Sequence, residues 1–192
     1  MVLSGNPKSV EDIVWDIKED RLNEPHLVVF MVDDDEDDYI LVKTAFEASP
    51  IKVDLRWVGD GQEAMDYLLH EGKYTARESS PRPDLILLDL VLPRKDGFET
   101  LKDIKGYEYL RKIPVVLLTS STKEEHKSSG LKLGADSFIV KPCSLDEMIR
   151  VMGSLREYYF NIVTLPEKSS GSVLPFAGTH RSSDSECLRC LH

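Results

Sequence analysis

Four apolar runs in this chain stop on groups that could handle a phosphoryl group. Val32 is followed by Asp33-Asp34-Asp35, Leu88 by Asp89, Leu118 by Thr119, and Val140 by Lys141-Pro142. In an open α/β sheet the ligand crevice lies outside the carboxyl ends of the strands. If the four runs are parallel strands, their carboxylates, hydroxyl and ammonium converge in one cleft. Crowded carboxylates raise each other's pKa unless a cation sits among them. Hard oxygen donors of this kind suit Mg²⁺, which keeps waters and takes few protein ligands. Such an ion and Lys141 would neutralise the oxygens of a phosphoryl group while an ionised carboxylate attacks phosphorus. The chemistry on offer is an aspartyl phosphate.

These groups meet only if the elements before them fold as strands. Leu27–Val32, Val53–Val58, Leu85–Leu88, Val115–Leu118 and Ser137–Val140 are strand-length, rich in Val, Ile and Leu, and bounded by turn residues. Leu85–Leu88 and Val115–Leu118 are apolar throughout, the pattern of strands covered on both faces. Helical spacing runs from Asp37 through Phe46 and over Gln62–His70, Phe98–Ile104 and Glu124–Leu133. A last helix runs from Leu145 to about Tyr159, with Ser144 as cap and Glu147 at the capping-box position. Five strands alternating with five helices predict βα units in an α/β, doubly wound parallel sheet.

Val32-Asp33-Asp34-Asp35, Leu88-Asp89-Leu90-Val91-Leu92-Pro93 with Asp96-Gly97, Leu118-Thr119-Ser120 and Phe138-Ile139-Val140-Lys141-Pro142 resemble, in order and in strand context, the motifs of CheY-like response-regulator receiver domains. Gly72-Lys73-Tyr74 through Pro81-Arg82-Pro83-Asp84, and the ending from Tyr158 to Pro166, are similar to stand-alone phytochrome-associated response regulators. The resemblance implies a flavodoxin-like (βα)5 fold with strand order 2-1-3-4-5. It makes Asp89 the acceptor of a phosphoryl group from a sensor histidine kinase, with a phytochrome as the kinase that the subfamily suggests. The implied cofactor is Mg²⁺, with Mn²⁺ as a substitute: Asp34 and Asp89 would bind it directly, Asp33 through water, and Val91 by its backbone carbonyl. Lys141 would pair with the phosphoryl group, and Pro142 would follow a cis peptide. Thr119 and Phe138 would be the switch pair, the hydroxyl moving inward and the ring following, so that the surface of the fourth helix, fifth strand and fifth helix changes. In physical terms, phosphorylation adds charge and acceptor oxygens beside Lys141 and Thr119. The valine side chain at 91 cannot position a hydrolytic water by hydrogen bonding, which predicts a long-lived phosphoryl group.

Plainer readings compete for several of these residues. Asp35, Glu36, Asp37 and Asp38 read as a solvated helix start favoured by the macrodipole. The acidic run is no EF-hand, because its sixth position is Asp38 rather than glycine and its twelfth is Thr44 rather than glutamate. Thr119, Lys141 and Phe138 taken singly would be a turn cap, a surface lysine and a core ring. A haloacid-dehalogenase-type phosphatase using Asp33 is the enzyme alternative, since Asp33-x-Asp35, Thr119 and Lys141 imitate three of its motifs, but no further acidic pair follows the lysine on another strand end. No Gly-rich loop follows the first strand, which argues against nucleotide or flavin. A phosphorylation-independent adaptor would leave the acidic site unexplained. The expectation is therefore a phosphoacceptor that catalyses its own phosphotransfer and dephosphorylation, not a turnover enzyme.

The chain has 192 residues and a formal charge of −10, the wrong sign for a nucleic-acid backbone. No run approaches the length of a membrane span, and the first residues carry no secretory signal, so a cytoplasmic protein is expected. Three zones are expected. Residues 1–25 carry a short amphipathic candidate, with Val10, Ile13, Val14 and Ile17 on one face and Pro25 ending it; 26–166 form the receiver; 167–192 read as a disordered Ser-rich tail. Cys187-x-x-Cys190 with His192 is a weak metal signal, and Cys143 has no nucleophile signature. Tyr158, Tyr159 and Phe160 cannot all face inward, so part of this run is predicted to make a homodimer contact.

Overall fold

The computed structural model describes residues 27–48 and 52–164. The expectations for residues 1–25 and 167–192 lie outside the described residues. Five strands, β1 (Leu27–Val32), β2 (Val53–Val58), β3 (Leu85–Leu88), β4 (Val115–Thr119) and β5 (Ser137–Val140), form one parallel sheet in the order β2-β1-β3-β4-β5. They alternate with α1 (Glu36–Glu47), α2 (Gly61–Leu69), α3 (Gly97–Gly106), α4 (Glu124–Lys132) and α5 (Leu145–Thr164). This is the flavodoxin-like order expected from the sequence.

Side chains alternate across a strand, and here each central strand serves two cores. Phe30, Val32, Ile86, Leu88, Val115 and Leu117 pack with Ala64, Met65 and Leu68 of α2 and Leu101 and Ile104 of α3. Val29, Met31, Leu85, Leu87, Val116 and Leu118 pack on the other face with Val42 and Phe46 of α1 and Met148, Met152 and Leu155 of α5. Burial on both sides is why β3 and β4 read as unbroken apolar runs.

Aspartates start the first three helices. Asp35, Asp60 and Asp96 each accept a hydrogen bond from a backbone N–H of the first turn, from Asp37 at 2.8 Å, Glu63 at 2.9 Å and Glu99 at 2.8 Å. Ser144 caps α5 as expected, its hydroxyl accepting from the Glu147 N–H at 3.3 Å. Helix α5 reaches Thr164, past the expected end. Helix α4 is built differently. Lys123 precedes it without a side-chain cap, and Gly130 is the one residue of this helix that is buried. A β-carbon at Gly130 would collide with the Leu117 side chain, so α4 rests on β4 through its backbone.

The segment between α2 and β3 carries two 3₁₀ turns, Gly72–Tyr74 and Arg77–Ser79. Tyr67 stacks on Phe30 at 4.2 Å, and its hydroxyl donates to the Pro81 carbonyl at 2.9 Å. The Tyr74 hydroxyl donates to Glu63 at 2.7 Å, and Lys73 pairs with the same carboxylate at 2.5 Å. The segment is thus tied down by aromatic packing and charge. Among the described residues no helix is long and apolar enough to cross a membrane.

Candidate functional site

Ladder hydrogen bonds continue one residue beyond the strands and fix the site. The N–H of Asp33 donates to the Val58 carbonyl at 3.0 Å, that of Asp89 to Val32 at 2.9 Å, and that of Lys141 to Thr119 at 2.8 Å. Three sequence-distant residues are thereby held at the carboxyl end of one sheet. Carboxylate oxygens of Asp33, Asp34 and Asp89 all lie within 4.8 Å of one another. The Lys141 ammonium, on a side chain 9% exposed, reaches Asp33 at 2.8 Å, Asp89 at 3.1 Å and Asp38 at 2.7 Å.

Burial pushes the Asp33 carboxyl up to about 7; Lys141 opposes that shift, and Asp89 adds to it. Burial works against the charge on Lys141, but Asp33 and Asp89, with hydrogen bonds to Asp33 and Asp38, outweigh it and move its pKa upward. The ammonium stays protonated, and the acidic side of the cluster bears the cost of crowding. A hard divalent cation removes that cost. The donor set fits one: three clustered carboxylates, two of them buried and one, Asp34, open to solvent.

The loop after Asp89 is shaped from below. The other Asp89 carboxylate oxygen accepts the Leu90 N–H at 2.6 Å, and the Gly97 N–H donates to the Leu90 carbonyl at 3.0 Å. A β-carbon at Gly97 would strike the Asp89 carbonyl oxygen and the Leu90 α-carbon. Arg94 adopts φ 62°, a left-handed conformation, and its guanidinium pairs with buried Asp60. Val91, on the same loop, is 66% exposed.

Thr119 is fully buried as the last residue of β4, and its hydroxyl accepts the Ser121 N–H at 3.3 Å. Phe138 is half-buried against the core that α2 and α3 cover. Asp33, Asp34, Asp89 and Lys141 therefore meet, with Thr119 bonded through its backbone to Lys141 and Phe138 one strand away.

One expectation needs correction, and one is narrowed to fewer residues. No peptide bond among the described residues is cis, so Lys141–Pro142 is trans. Trans is the lower-energy form by about 0.5–1 kcal/mol before proline, and Lys141 reaches its carboxylates without the alternative. Tyr159 is not free for a dimer contact: its ring is buried in the core beside α1 and α5, and its hydroxyl has no hydrogen-bond partner. Tyr158 is 62% exposed. The Phe160 side chain lies outside the described residues.

Two participants were not singled out from sequence. Asp38 looked like one of several solvated acids, yet it holds Lys141; its place in the first turn of a helix that begins at the site was the available signal. Trp57 donates its indole N–H to the Asp33 carbonyl at 2.7 Å and stacks on Tyr39 at 4.7 Å. Nothing in its sequence neighbourhood marked it.

A family model described as the response regulator receiver domain matches residues 29–152. The chain belongs to the response-regulator receiver family. It is 37% identical to Response regulator Rcp1 of Synechocystis sp. (strain ATCC 27184 / PCC 6803 / Kazusa), over 74% of this chain and 95% of the relative. The phosphorylated cyanobacterial phytochrome response regulator RcpA is 37% identical over 74% of this chain and all of its own, with a TM-score of 0.67. The Mn²⁺-bound form of Rcp1 is 37% identical over 73% and 99% of the two chains, with a TM-score of 0.64.

The receiver is thus homologous to phytochrome-associated response regulators. Receivers are signalling proteins rather than turnover enzymes, they bind a divalent metal, and their partner is a phosphodonor histidine kinase. The phosphatase and adaptor alternatives are not favoured.

Proposed function

We propose that this receiver accepts a phosphoryl group on Asp89 from the phosphohistidine of a sensor kinase, a phytochrome-like photoreceptor in the cytoplasm, and that residues 26–166 are the unit that does so. One observation carries the reading: Lys141 lies 3.1 Å from Asp89 and 2.8 Å from Asp33, at the end of the sheet where Asp34 is also gathered. An Asp89 carboxylate oxygen forms the new O–P bond as the N–P bond of the phosphohistidine breaks, and the imidazole nitrogen recovers its electron pair. Lys141 holds the phosphoryl oxygens, and the Thr119 hydroxyl, released from Ser121, turns to one of them. Asp34 and Asp89 would hold Mg²⁺, or Mn²⁺ in its place, with Asp33 acting through water and Val91 lending its carbonyl. The ion would supply charge neutralisation at the phosphoryl oxygens.

Inward movement of Thr119 leaves room for Phe138, and the surface of α4, β5 and α5 changes. Leu131, Val140, Leu145 and Tyr158 expose apolar area on these elements or at their ends, which supports a homodimer as the recipient of the signal. Nucleic acid is not a partner in this reading, given the charge of −10.

Radiolabelled acetyl phosphate with and without divalent cation tests the assignment. Wild type takes up label only with the cation, and Asp89→Asn takes up none. Equal labelling of the variant would overturn it.

A further inference from the structure

Lys141 has one carboxylate more than the phosphoryl chemistry uses. Asp33 and Asp89 belong to the cation cluster; Asp38 is outside it, on the first turn of α1, with a side chain 26% exposed. The Asp38 contact, at 2.7 Å, is nevertheless the shortest of the three that Lys141 makes. Asp33 and Asp89, which face the ammonium, also belong to the carboxylate cluster that a cation would need. Ammonium and cation therefore compete for them, and Asp38 decides how firmly the ammonium leans on the shared pair.

We infer that Asp38 is a positioning residue for Lys141, sharing its ammonium with the cation ligands in the resting receiver and competing with the phosphoryl group for it after transfer. The inference rests on the phosphoacceptor reading above. Its two halves have opposite signs. With Asp38 present, the ammonium keeps a full ion pair when Asp33 and Asp89 turn to a cation, so binding the cation costs less. Once Asp89 carries a phosphoryl group, Lys141 must leave Asp38 or be shared with it, and the Asp38 carboxylate faces new negative charge across one ammonium. Removing the carboxylate weakens the first event and strengthens the second.

The experiment uses the full chain with Asp38→Asn, with Asp37→Asn as control. Asp37 is exposed, sits in the same turn and carries the same charge, but makes no ion pair with Lys141. Magnesium is titrated and followed by the amide shifts of residues 33–38; beryllofluoride is then titrated at saturating magnesium. In Asp38→Asn the magnesium dissociation constant rises and the beryllofluoride constant falls, each by about fivefold, the lower end of coupling between sites. Asp38→Glu restores both in part, and Asp37→Asn moves each less than about twofold, as a screened surface charge should.

Constants that shift together in Asp38→Asn, that match wild type, or that shift equally in Asp37→Asn overturn the inference. A wild-type protein that responds to neither magnesium nor beryllofluoride overturns the phosphoacceptor reading itself, a result separable from the others. Matching far-UV dichroism of the variants shows that folding is not the variable.

Discussion

The indole N–H of Trp57 lies 2.7 Å from the carbonyl oxygen of Asp33, which makes a ring on the edge strand a direct neighbour of the acidic cluster. Emission from Trp57 should therefore change when magnesium or beryllofluoride enters the site. In a Trp15→Phe background, where Trp57 is the remaining tryptophan, the expected result is saturable quenching or enhancement that Asp34→Ala abolishes. Trp57→Phe should cost about 1 kcal/mol in urea unfolding, the worth of one hydrogen bond. An emission signal blind to both ligands would refute the coupling.

Removing Lys141 leaves Asp33 and Asp89 buried without their cation. Lys141→Met is expected to destabilise the magnesium-free protein by about 3–5 kcal/mol at pH 8, as breaking a buried ion pair does. Magnesium should recover more stability in this variant than in wild type, read as a larger rise in melting temperature. Equal stabilisation of the two proteins would count against competition between ammonium and metal.

Gly97 tolerates no side chain, because a β-carbon there meets the backbone of Asp89 and Leu90. Gly97→Ala should cost about 1–3 kcal/mol, the usual range for overpacking. It should also slow labelling by acetyl phosphate, since the atoms displaced belong to the phosphoacceptor. Unchanged labelling would show that the loop accommodates the methyl away from Asp89.

The segment between α2 and β3 should loosen in acid. Burial pushes the Glu63 carboxyl up, but hydrogen bonds to Lys73 and Tyr74 and the Lys73 charge outweigh it and leave the pKa below its ordinary 4.5. A carboxyl depressed in the folded state binds its proton more tightly when unfolded. Its contribution is therefore fully present above 4.5 and lost as pH falls through the lowered value. Amide exchange of Lys73 and Tyr74 should accelerate in that window in wild type and be pH-independent there, beyond the intrinsic rate, in Glu63→Gln.

Val91 is proposed to set the lifetime of the phosphoryl group. Val91→Asn gives the phosphoryl neighbourhood a side chain able to orient water, and dephosphorylation of the labelled protein should quicken. A slower or unchanged decay would show that the exposed valine does not limit hydrolysis.

Strand-end chemistry was legible because a parallel sheet turns one-dimensional spacing into convergence: Asp33, Asp89, Thr119 and Lys141 each follow a short apolar run of strand length bounded by turn residues. Strand order followed from the family resemblance, and the two-sided core from the unbroken β3 and β4. Asp38 was legible only as one of three acids in the first turn of a helix that begins at the site, and the sequence does not say which of them reaches Lys141. Trp57 was not legible, since its partner is a backbone oxygen and any residue could have supplied that. Which ring of the aromatic triplet turns inward was not legible, because the rotation of a helix near its end depends on packing, which neighbouring rings do not reveal. The Lys141–Pro142 bond shows the limit of carrying a family habit onto a single peptide.

Helix α4, uncapped at its start and seated on β4 through Gly130, is where the proposed switch would meet the least resistance. Coupling between distant sites is worth about 1–3 kcal/mol. Spent on α3, whose Leu101 and Ile104 are locked in the core, that sum would vanish into a well too deep to leave. Spent on α4, whose one buried residue is Gly130, the same sum would redraw the face that the proposed switch uses.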